Sequence, residues 1–387
     1  MHIMHIVTRL LRAGSEENTV ETCRYQAEIG HQVTLVHGCE FDPYWYNHAI
    51  AGVELFELSE MVHPADPIAD IRAFKSLRRL FKMTNPDVIH THQSKAGILG
   101  RLAAHVLPSV FVVHGIHIVP FEGVGRVKRL LYMHLERWVA SKTDLFIGVS
   151  HAVGQAFVDA RVTTSNKVRC VRSGIKLDQF RAAKSCLDQN TLFGGHSPRP
   201  NVVLMMAAFE PRKRHIQFLE AFAQVRNECP KIKLLLAGQG PEEAAIRRAV
   251  VRLGLQNHVV FCGHRSDPES LFAMADMTVL TSEREGLPRV VVQSLASGVP
   301  TILNDLPGIG EIIQDGRNGV ILPVDDIDGV AAQLVALMKD NAALRQLRNG
   351  AAETDVSEWD MTHFGMRTTE LYRPCYLANK SGQLVAR

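Results

Sequence analysis

The residues best placed to do chemistry lie in two short stretches of the chain's second half. One is EREGLPRVVVQSLASGVP, Glu283 to Pro300, with Glu285 in a loop and Gln293 eight residues later in a helix. The first-turn N–H groups of a helix have no intrahelical partner and are suited to anions. A nucleotide diphosphate is expected to rest there, with Glu285 and Gln293 on sugar hydroxyls. A carboxylate accepts such bonds, and an amide both accepts and donates. The plainer account is a buried helix with one satisfied glutamine. The other stretch, AAFEPRKRH, carries Arg212, Lys213 and Arg214 in a row, followed by His215. Adjacent cations at the carboxyl end of a strand suit a diphosphate, through both fork-shaped and point donors. The plainer account is a charged surface loop. In AGQGPEE, Gly238 and Gly240 would leave room for a ligand. In GHRSDPES, Arg265 stands at another strand end, before an expected Asp267 cap.

The first half offers weaker signals. HTHQSKAG joins a strand to a helix and presents His92, Ser94 and Lys95 at the strand's carboxyl end. Ser94 is expected to cap the helix, and Lys95 to meet a phosphate near its positive end. His114 and Gly115 close the next strand; His114 is as compatible with a buried structural role as with a functional one. His90 and His92 are read as alternating to opposite faces of their strand, so no closed ligand set forms and no metal is expected. DDID, Asp325 to Asp328, resembles an acidic metal motif but is accounted for by helix capping. The first βα loop, TRLLRAGSEENT, lacks GxGxxG, which removes the main support for a dinucleotide site. Its Gly14 can still bring a backbone N–H to an anion at the following helix.

The elements that must hold these residues alternate throughout. HIMHIVT, HQVTLVHG, DVIHTH, SVFVVHG, DLFIGVS and KVRCVR read as strands separated by helices. They are short apolar runs of the kind a parallel sheet covered on both faces requires. Near Ala182 the pattern lapses into KSCLDQNTLFGGHSPRP, read as a linker. A second series then begins with NVVLMMA and KIKLLLAG. Two doubly wound α/β domains are predicted, with ligands at the carboxyl ends of the strands and the site in the cleft between them. A chain of 387 residues is long for one core, which agrees with two. Seven scattered cysteines without CxxC point to the cytosol and away from structural zinc. No transmembrane run is seen, and MHIMHIVTRLLRAG is a poor signal peptide. A net charge of +3 is too mild to suggest nucleic acid. The charge is uneven, however. DIRAFKSLRRLFKM, Asp70 to Met83, sets Ile71, Phe74, Leu77, Leu80 and Phe81 at helical spacing beside five cations. Such a helix either packs on its own sheet or lies on an anionic bilayer.

Taken in order, the RAG loop, HTHQSKAGILGRLAA, VHG, SGIKLDQF, EPRKRH, AGQGPEE, GHRSD, EREGLPRVVVQSLASGVPTI and DGRNGVILP resemble glycosyltransferase family 4, of the GT-B fold. The likeness spans nearly the whole chain. It implies two Rossmann-like parallel-sheet domains facing across a cleft: an acceptor-binding domain at 1–183, a linker at 184–200 and a nucleotide-sugar-binding domain at 201–364. A C-terminal helix at 365–387 would cross back, with the domains closing on the donor. It implies retaining, metal-independent transfer from a UDP- or GDP-linked sugar to a saccharide or lipid-linked acceptor, with no further cofactor. Bacterial polysaccharide or lipopolysaccharide synthesis is the implied setting, in the cytoplasm or on the inner face of the membrane. Lys213 matches the family lysine on the donor diphosphate and Glu285 the first acid of E-x7-E. Gly286, Leu287 and Pro288 match the loop on sugar and phosphate, His114 the first-domain active-site histidine, and Gly14 a glycine near donor phosphate and acceptor. Arg212, Gly238, Arg265 and Gln293 complete the expected donor set; His92, Ser94 and Lys95 form the acceptor set, with Arg101 adding charge nearby. Gln293 stands where the family has a second acid, and Ala208 where it often has an arginine. Rival expectations are a sugar-nucleotide epimerase or hydrolase, and a non-catalytic sugar-nucleotide-binding partner.

Overall fold

The computed structural model describes residues 1–12, 14–184, 199–374 and 377. Most of the expected linker, 184–200, lies outside them, as does the end of the expected 365–387 segment. The chain divides into two compact units. One is Met1–Gly174 with the segment beginning at Trp359; the other is Ile175–Glu358.

The first unit is built on seven parallel strands: β1 (His2–Val7), β2 (Gln32–His37), β3 (Val53–Glu57), β4 (Val88–His92), β5 (Phe111–Ile116), β6 (Leu145–Gly148) and β7 (Val168–Cys170). Their order is β3-β2-β1-β4-β5-β6-β7, so the winding reverses between β1 and β4. Six helices alternate with them: α1 (Gly14–Glu28), α2 (Tyr44–Asn47), α3 (Pro67–Thr84), α4 (Ser94–Ala104), α5 (Arg126–Ala140) and α6 (His151–Asp159).

Helix α3 shows the local rules at work. Asp66 caps it by accepting from the N–H groups of Ile68 and Ala69, both at 3.0 Å, and Pro67 takes the first turn, where no donor is needed. Asn85 ends it in the left-handed region at φ 43°. Ala73, Leu77, Leu80 and Phe81 join the core, but Ile71 does not; Ile68, Ile71 and Met83 face outward. The expected five-residue stripe is therefore split between two faces. A larger exposed apolar surface lies on α5, where Val127, Leu130, Leu131 and Trp138 are all more than half exposed. Arg101 also departs from expectation. It is fully buried, with Nη2 donating to Glu136 Oε2 at 2.7 Å and Nε to Gly97 O at 2.7 Å, so it presents no charge to an acceptor.

The second unit has six parallel strands: β8 (Val202–Met206), β9 (Lys233–Ala237), β10 (Val259–Gly263), β11 (Met277–Leu280), β12 (Thr301–Asn304) and β13 (Gly319–Leu322), in the order β10-β9-β8-β11-β12-β13. Its helices are α7 (Leu177–Arg181), α8 (His215–Glu228), α9 (Glu243–Arg252), α10 (Pro268–Met274), α11 (Arg289–Ala296), α12 (Ile327–Lys339) and α13 (Asn341–Glu353). Val203, Met205, Leu234, Leu236, Phe218 and Phe222 lie in one large core.

The last helix, α14 (Met361–Glu370), belongs to the first unit and packs on α1. Gly365 permits the approach, since a Cβ there would fall 2.7 Å from Tyr25 Cβ. Gln26 Nε2 donates to Thr369 Oγ1 at 3.1 Å, and beyond the helix Tyr372 is fully buried against β4. Among the described residues no helix is long and apolar enough to cross a membrane.

Candidate active site

In the second unit the switch point lies between β8 and β11, which are paired neighbours (Met277 with Val203, Thr278 with Leu204) whose connections depart to opposite sides. The two loops leaving them flank the crevice where doubly wound sheets take ligands. They are tied together: Glu283 N donates to Arg212 O at 2.9 Å, and Thr281 Oγ1 to Lys213 O at 3.0 Å. The β8 loop tightens into a single turn, Pro211–Lys213, and Arg214 turns left-handed at φ 56° before α8 starts at His215.

The three adjacent cations take different tasks. Lys213 is buried and its ammonium donates to Glu285 Oε1. Arg212 Nη1 donates to the same oxygen at 3.1 Å, while its Nε donates to Glu210 Oε2 at 2.8 Å. Arg214 turns away: Nη1 donates to Val324 O at 2.7 Å, Nη2 to Asp325 Oδ1 at 2.8 Å and Nε to Glu283 Oε1 at 3.1 Å. Arg214 is a brace, which leaves Lys213 and Arg212 to meet an anion. Burial pushes the Glu285 carboxyl up, but the Lys213 and Arg212 charges outweigh it and hold it below the usual carboxylate range. Glu285 is thus an anion held by two cations at a strand end. His215, fully buried with neither ring nitrogen partnered among the described residues, is pushed down to about 4 by burial and by the nearby Lys213 charge.

Gly286, Leu287 and Pro288 are buried and lead directly into α11. Pro288 occupies the N-cap and no side chain caps the helix, so its amino end is left to other partners. Gln293 sits half-buried on α11, and among the described residues its side-chain amide makes no hydrogen bond. The loop glycines serve the fold. A Cβ at Gly238, where φ is 148°, would lie 2.1 Å from Ala207 O, and one at Gly240 2.5 Å from Phe209 O. They let the β8 and β9 loops touch. Arg265 follows the edge strand β10 and is spent on Asp267, with Nε to Oδ1 at 2.8 Å and Nη2 to Oδ2 at 2.7 Å. Asp267 accordingly makes no cap bond to α10. In DDID, Asp326 caps α12 by accepting from Gly329 N at 2.8 Å, and Asp325 is the partner of Arg214.

The first unit revises several expectations around its own switch point, between β1 and β4. Ser94 is the first residue of α4 and not its cap; Gln93 holds that position at φ 63°. The α4 amide of Ala96 instead donates to Thr8 Oγ1 at 3.0 Å, because Thr8 follows β1 directly alongside. Gln93 Oε1 accepts from Thr8 N at 3.0 Å and its Nε2 donates to buried Glu16 at 2.9 Å, two residues into the helix that Gly14 opens. Lys95 reaches α3, donating to Asp70 Oδ1 at 2.6 Å and also to Pro64 O, so it is not poised for phosphate. His114 is buried within β5, two residues before its end, and shares a 3.0 Å hydrogen bond between Nδ1 and Thr91 Oγ1. Burial first, then the Arg101 charge, keep it well below the usual imidazole range and so neutral. Its Nε2 has no partner among the described residues.

The reading of His90 and His92 as facing apart is wrong. Residues two apart on a strand share a face, and their rings lie 4.1 Å apart. His5 from neighbouring β1 joins them, and one ring nitrogen from each of the three lies within 4.8 Å of the others. His5 and His117 were not singled out from the sequence. The available signal was the pair of His-X-His or His-containing runs on strands that a doubly wound order places side by side. Glu210 was missed too, for lack of any sign that it would claim Arg212.

Two family models match this chain: that of the glycosyl transferases group 1 over residues 192–354, and that of glycosyltransferase family 4 over residues 12–179. Among similar proteins is the UDP-Gal:alpha-D-GlcNAc-diphosphoundecaprenol alpha-1,3-galactosyltransferase of Escherichia coli, 26% identical over 70% of this chain and 72% of that one. The N-acetyl-alpha-D-glucosaminyl L-malate synthase of Bacillus anthracis is 25% identical over 96% of both chains. Among solved structures, HepE of Anabaena in complex with UDP-glucose superposes with a TM-score of 0.79 over 97% of this chain and 100% of that one, at 20% identity.

Proposed function

Because the chain belongs to glycosyltransferase family 4, with the GT-B pair of parallel-sheet domains, we propose that it moves a hexosyl group from a nucleotide-diphosphate sugar to a saccharide or lipid-linked acceptor, with retention at the anomeric carbon. The observation that carries this reading is the Lys213–Arg212–Glu285 cluster at the switch point of the second sheet. Two cations meet there on one carboxylate oxygen, next to a helix amino end that no side chain caps. A donor diphosphate would take over those cations and the α11 amides. Glu285 and Gln293 would then take sugar and ribose hydroxyls.

The step needs little covalent help from side chains. The bond from anomeric carbon to phosphate oxygen breaks, the bond to the acceptor oxygen forms on the same face, and the acceptor's proton passes to the departing diphosphate. The protein positions the reactants and neutralises the leaving charge. Lys213 and Arg212 supply that neutralisation, so no metal is called for at the diphosphate. Neutral His114, with Nδ1 held by Thr91, is the first-unit histidine we assign to the transfer, as the family resemblance implies. A UDP-linked donor and a diphospholipid-linked acceptor are favoured by the E. coli relative, whose name specifies both. A place in surface polysaccharide synthesis is favoured by another relative, the capsular polysaccharide biosynthesis glycosyltransferase CapM of Staphylococcus aureus. Exposed Val127, Leu130, Leu131 and Trp138 on α5, beside Arg126, Lys128 and Arg129, suit an anionic membrane surface where such an acceptor resides.

The test is incubation with UDP- and GDP-sugars, with and without diphosphoundecaprenol-linked saccharides, followed by mass spectrometry of the lipid products. A product gaining one hexose supports the proposal. Donor consumption at the same rate without acceptor would replace it with a hydrolase or epimerase. Binding without consumption of any donor would leave only a sugar-nucleotide-binding partner.

A further inference from the structure

We propose that His5, His90 and His92, the last expected from the sequence to face an acceptor, form a binding site for one divalent cation of the zinc class in the first unit. One nitrogen from each ring lies within 4.8 Å of the other two, and all three residues are buried. Two nitrogens at zinc distance in a tetrahedron stand roughly 3.3–3.5 Å apart, so ring shifts of about an ångström close the set. Imidazole is the ligand such ions favour.

The stronger argument is the outer shell. Metal-bound histidines characteristically engage their second nitrogen elsewhere, which fixes the ring. Here every ring does so. His5 Nε2 lies 2.8 Å from Gln26 Oε1, His90 Nδ1 2.6 Å from Tyr372 OH, and His92 Nδ1 3.0 Å from His117 Nε2. Those partners leave His5 Nδ1, His90 Nε2 and His92 Nε2 as the donor set. Two of these, His5 Nδ1 and His92 Nε2, already converge to 3.0 Å. The third, His90 Nε2, is buried without a hydrogen-bond partner.

His90 and His92 border a small cavity whose mostly apolar lining also carries Asn18, Thr19, His117 and Thr368. Further polar atoms are orphaned on its wall: Asn18 Oδ1 and Nδ2, and Thr368 Oγ1. Buried polar atoms of this kind require a partner. A fourth ligand, water, fits there: it would complete a tetrahedron and bond Asn18 and Thr368. The site takes its ligands from β1 and β4 and its outer shell from α1, the residue after β5 and the residues after α14. A bound ion would therefore fasten the returning C-terminal segment to the sheet.

The test uses untagged full-length protein, stripped with a chelator and titrated with Co²⁺. The expected result is one equivalent bound, with the intense visible bands of a tetrahedral, nitrogen-rich site, and a raised melting temperature when Zn²⁺ replaces Co²⁺. His90→Asn should lose the bands. Should that variant not fold, Tyr372→Phe and Gln26→Leu should each weaken binding about tenfold to a hundredfold through the outer shell. The proposal falls if stripped wild-type protein gives no tetrahedral bands. It falls equally if folded His90→Asn, or both outer-shell variants, bind as wild type does, which would put the ion on surface histidines. Zinc-soaked crystals with only water in the cavity would also overturn it.

Discussion

Replacing Lys213 with alanine removes one of the two cations that meet Glu285 Oε1, and one of the two proposed to face the leaving diphosphate. The two roles predict different sizes of effect. A preorganised donor lost from a site of developing charge costs roughly 2.7–4 kcal/mol, a kcat loss of about a hundredfold to a thousandfold. Ground-state binding suffers less. One charge-assisted bond is worth about 1.5–3 kcal/mol, but Arg212 and the α11 amides remain, so UDP affinity should fall only about tenfold. Folding is affected least. Breaking a buried pair costs about 3–5 kcal/mol when a charge is stranded, yet Glu285 keeps Arg212 at 3.1 Å, so a loss of about 1–2 kcal/mol is expected. The assay is transfer to the lipid-linked acceptor at saturating donor, alongside UDP titration and denaturant unfolding. Arg214→Ala is the internal control. That side chain is tied to Glu283, Asp325 and Val324 O, so its removal should lower stability and spare kcat to within about fivefold. A folded Lys213→Ala enzyme with kcat within about threefold of wild type would refute the assignment of leaving-group stabilisation to this residue.

Other expectations are as definite. Gln293→Glu completes the E-x7-E pattern that the sequence resembles and should tighten donor binding by up to about tenfold, read by calorimetry; weaker binding would show that the amide is matched to its ligand. His215 titrates at about 4 in the fold against an ordinary 6.5. Its depressed value means that the associated stability is whole above pH ~6.5 and drains away as pH falls toward 4. Between pH ~7 and ~5 that amounts to about 2 kcal/mol, and His215→Phe, which fits against Phe209, should flatten the decline; unchanged pH dependence in denaturant melts would count against it. Arg101→Ala strands Glu136 in the core and should cost about 3–5 kcal/mol, while Arg101→Met with Glu136→Leu should recover most of it; equal losses in both would contradict the pairing argument. Trp138→Glu together with Leu131→Glu should abolish flotation with anionic vesicles and leave unfolding unchanged, and retained flotation would remove α5 from the proposed membrane face.

The alternation of strands and helices was legible because parallel strands covered on both faces read as short apolar runs. The two-domain plan followed directly. Lys213 and Glu285 were each legible as strand-end polar residues, but their direct ion pair was not. What the sequence hid was how charges would be shared. Nothing local distinguishes Arg212 from Arg214; the first meets Glu285 and the second is captured by Asp325, more than a hundred residues away. Arg265 was lost to Asp267 two positions on, a competition that strand-end reasoning ignores. Lys95 and Arg101 failed in the same way, each claimed by a carboxylate from another helix. Ser94 failed because capping depends on backbone geometry, and the left-handed Gln93 gave the duty to Thr8. The histidine group needed β1 and β4 to be known neighbours, together with a correct reading of strand period.

The return of α14 to the first unit sets the order in which the molecule can be completed. Ribosomes deliver the chain from its amino end, and domains generally fold as they emerge. Here the stretch from Met1 to Gly174 is made first but lacks Thr369 for Gln26, Tyr372 for His90, and Phe364 for the core beneath β5 and β6. The intervening unit, Ile175–Glu358, is contiguous and has every residue it needs on emergence. The half of the protein born first is thus the half finished last, and it must wait through the synthesis of its neighbour with a seam of α1 uncovered. A stop codon just before Trp359 would leave the second unit whole and deprive the first of these partners.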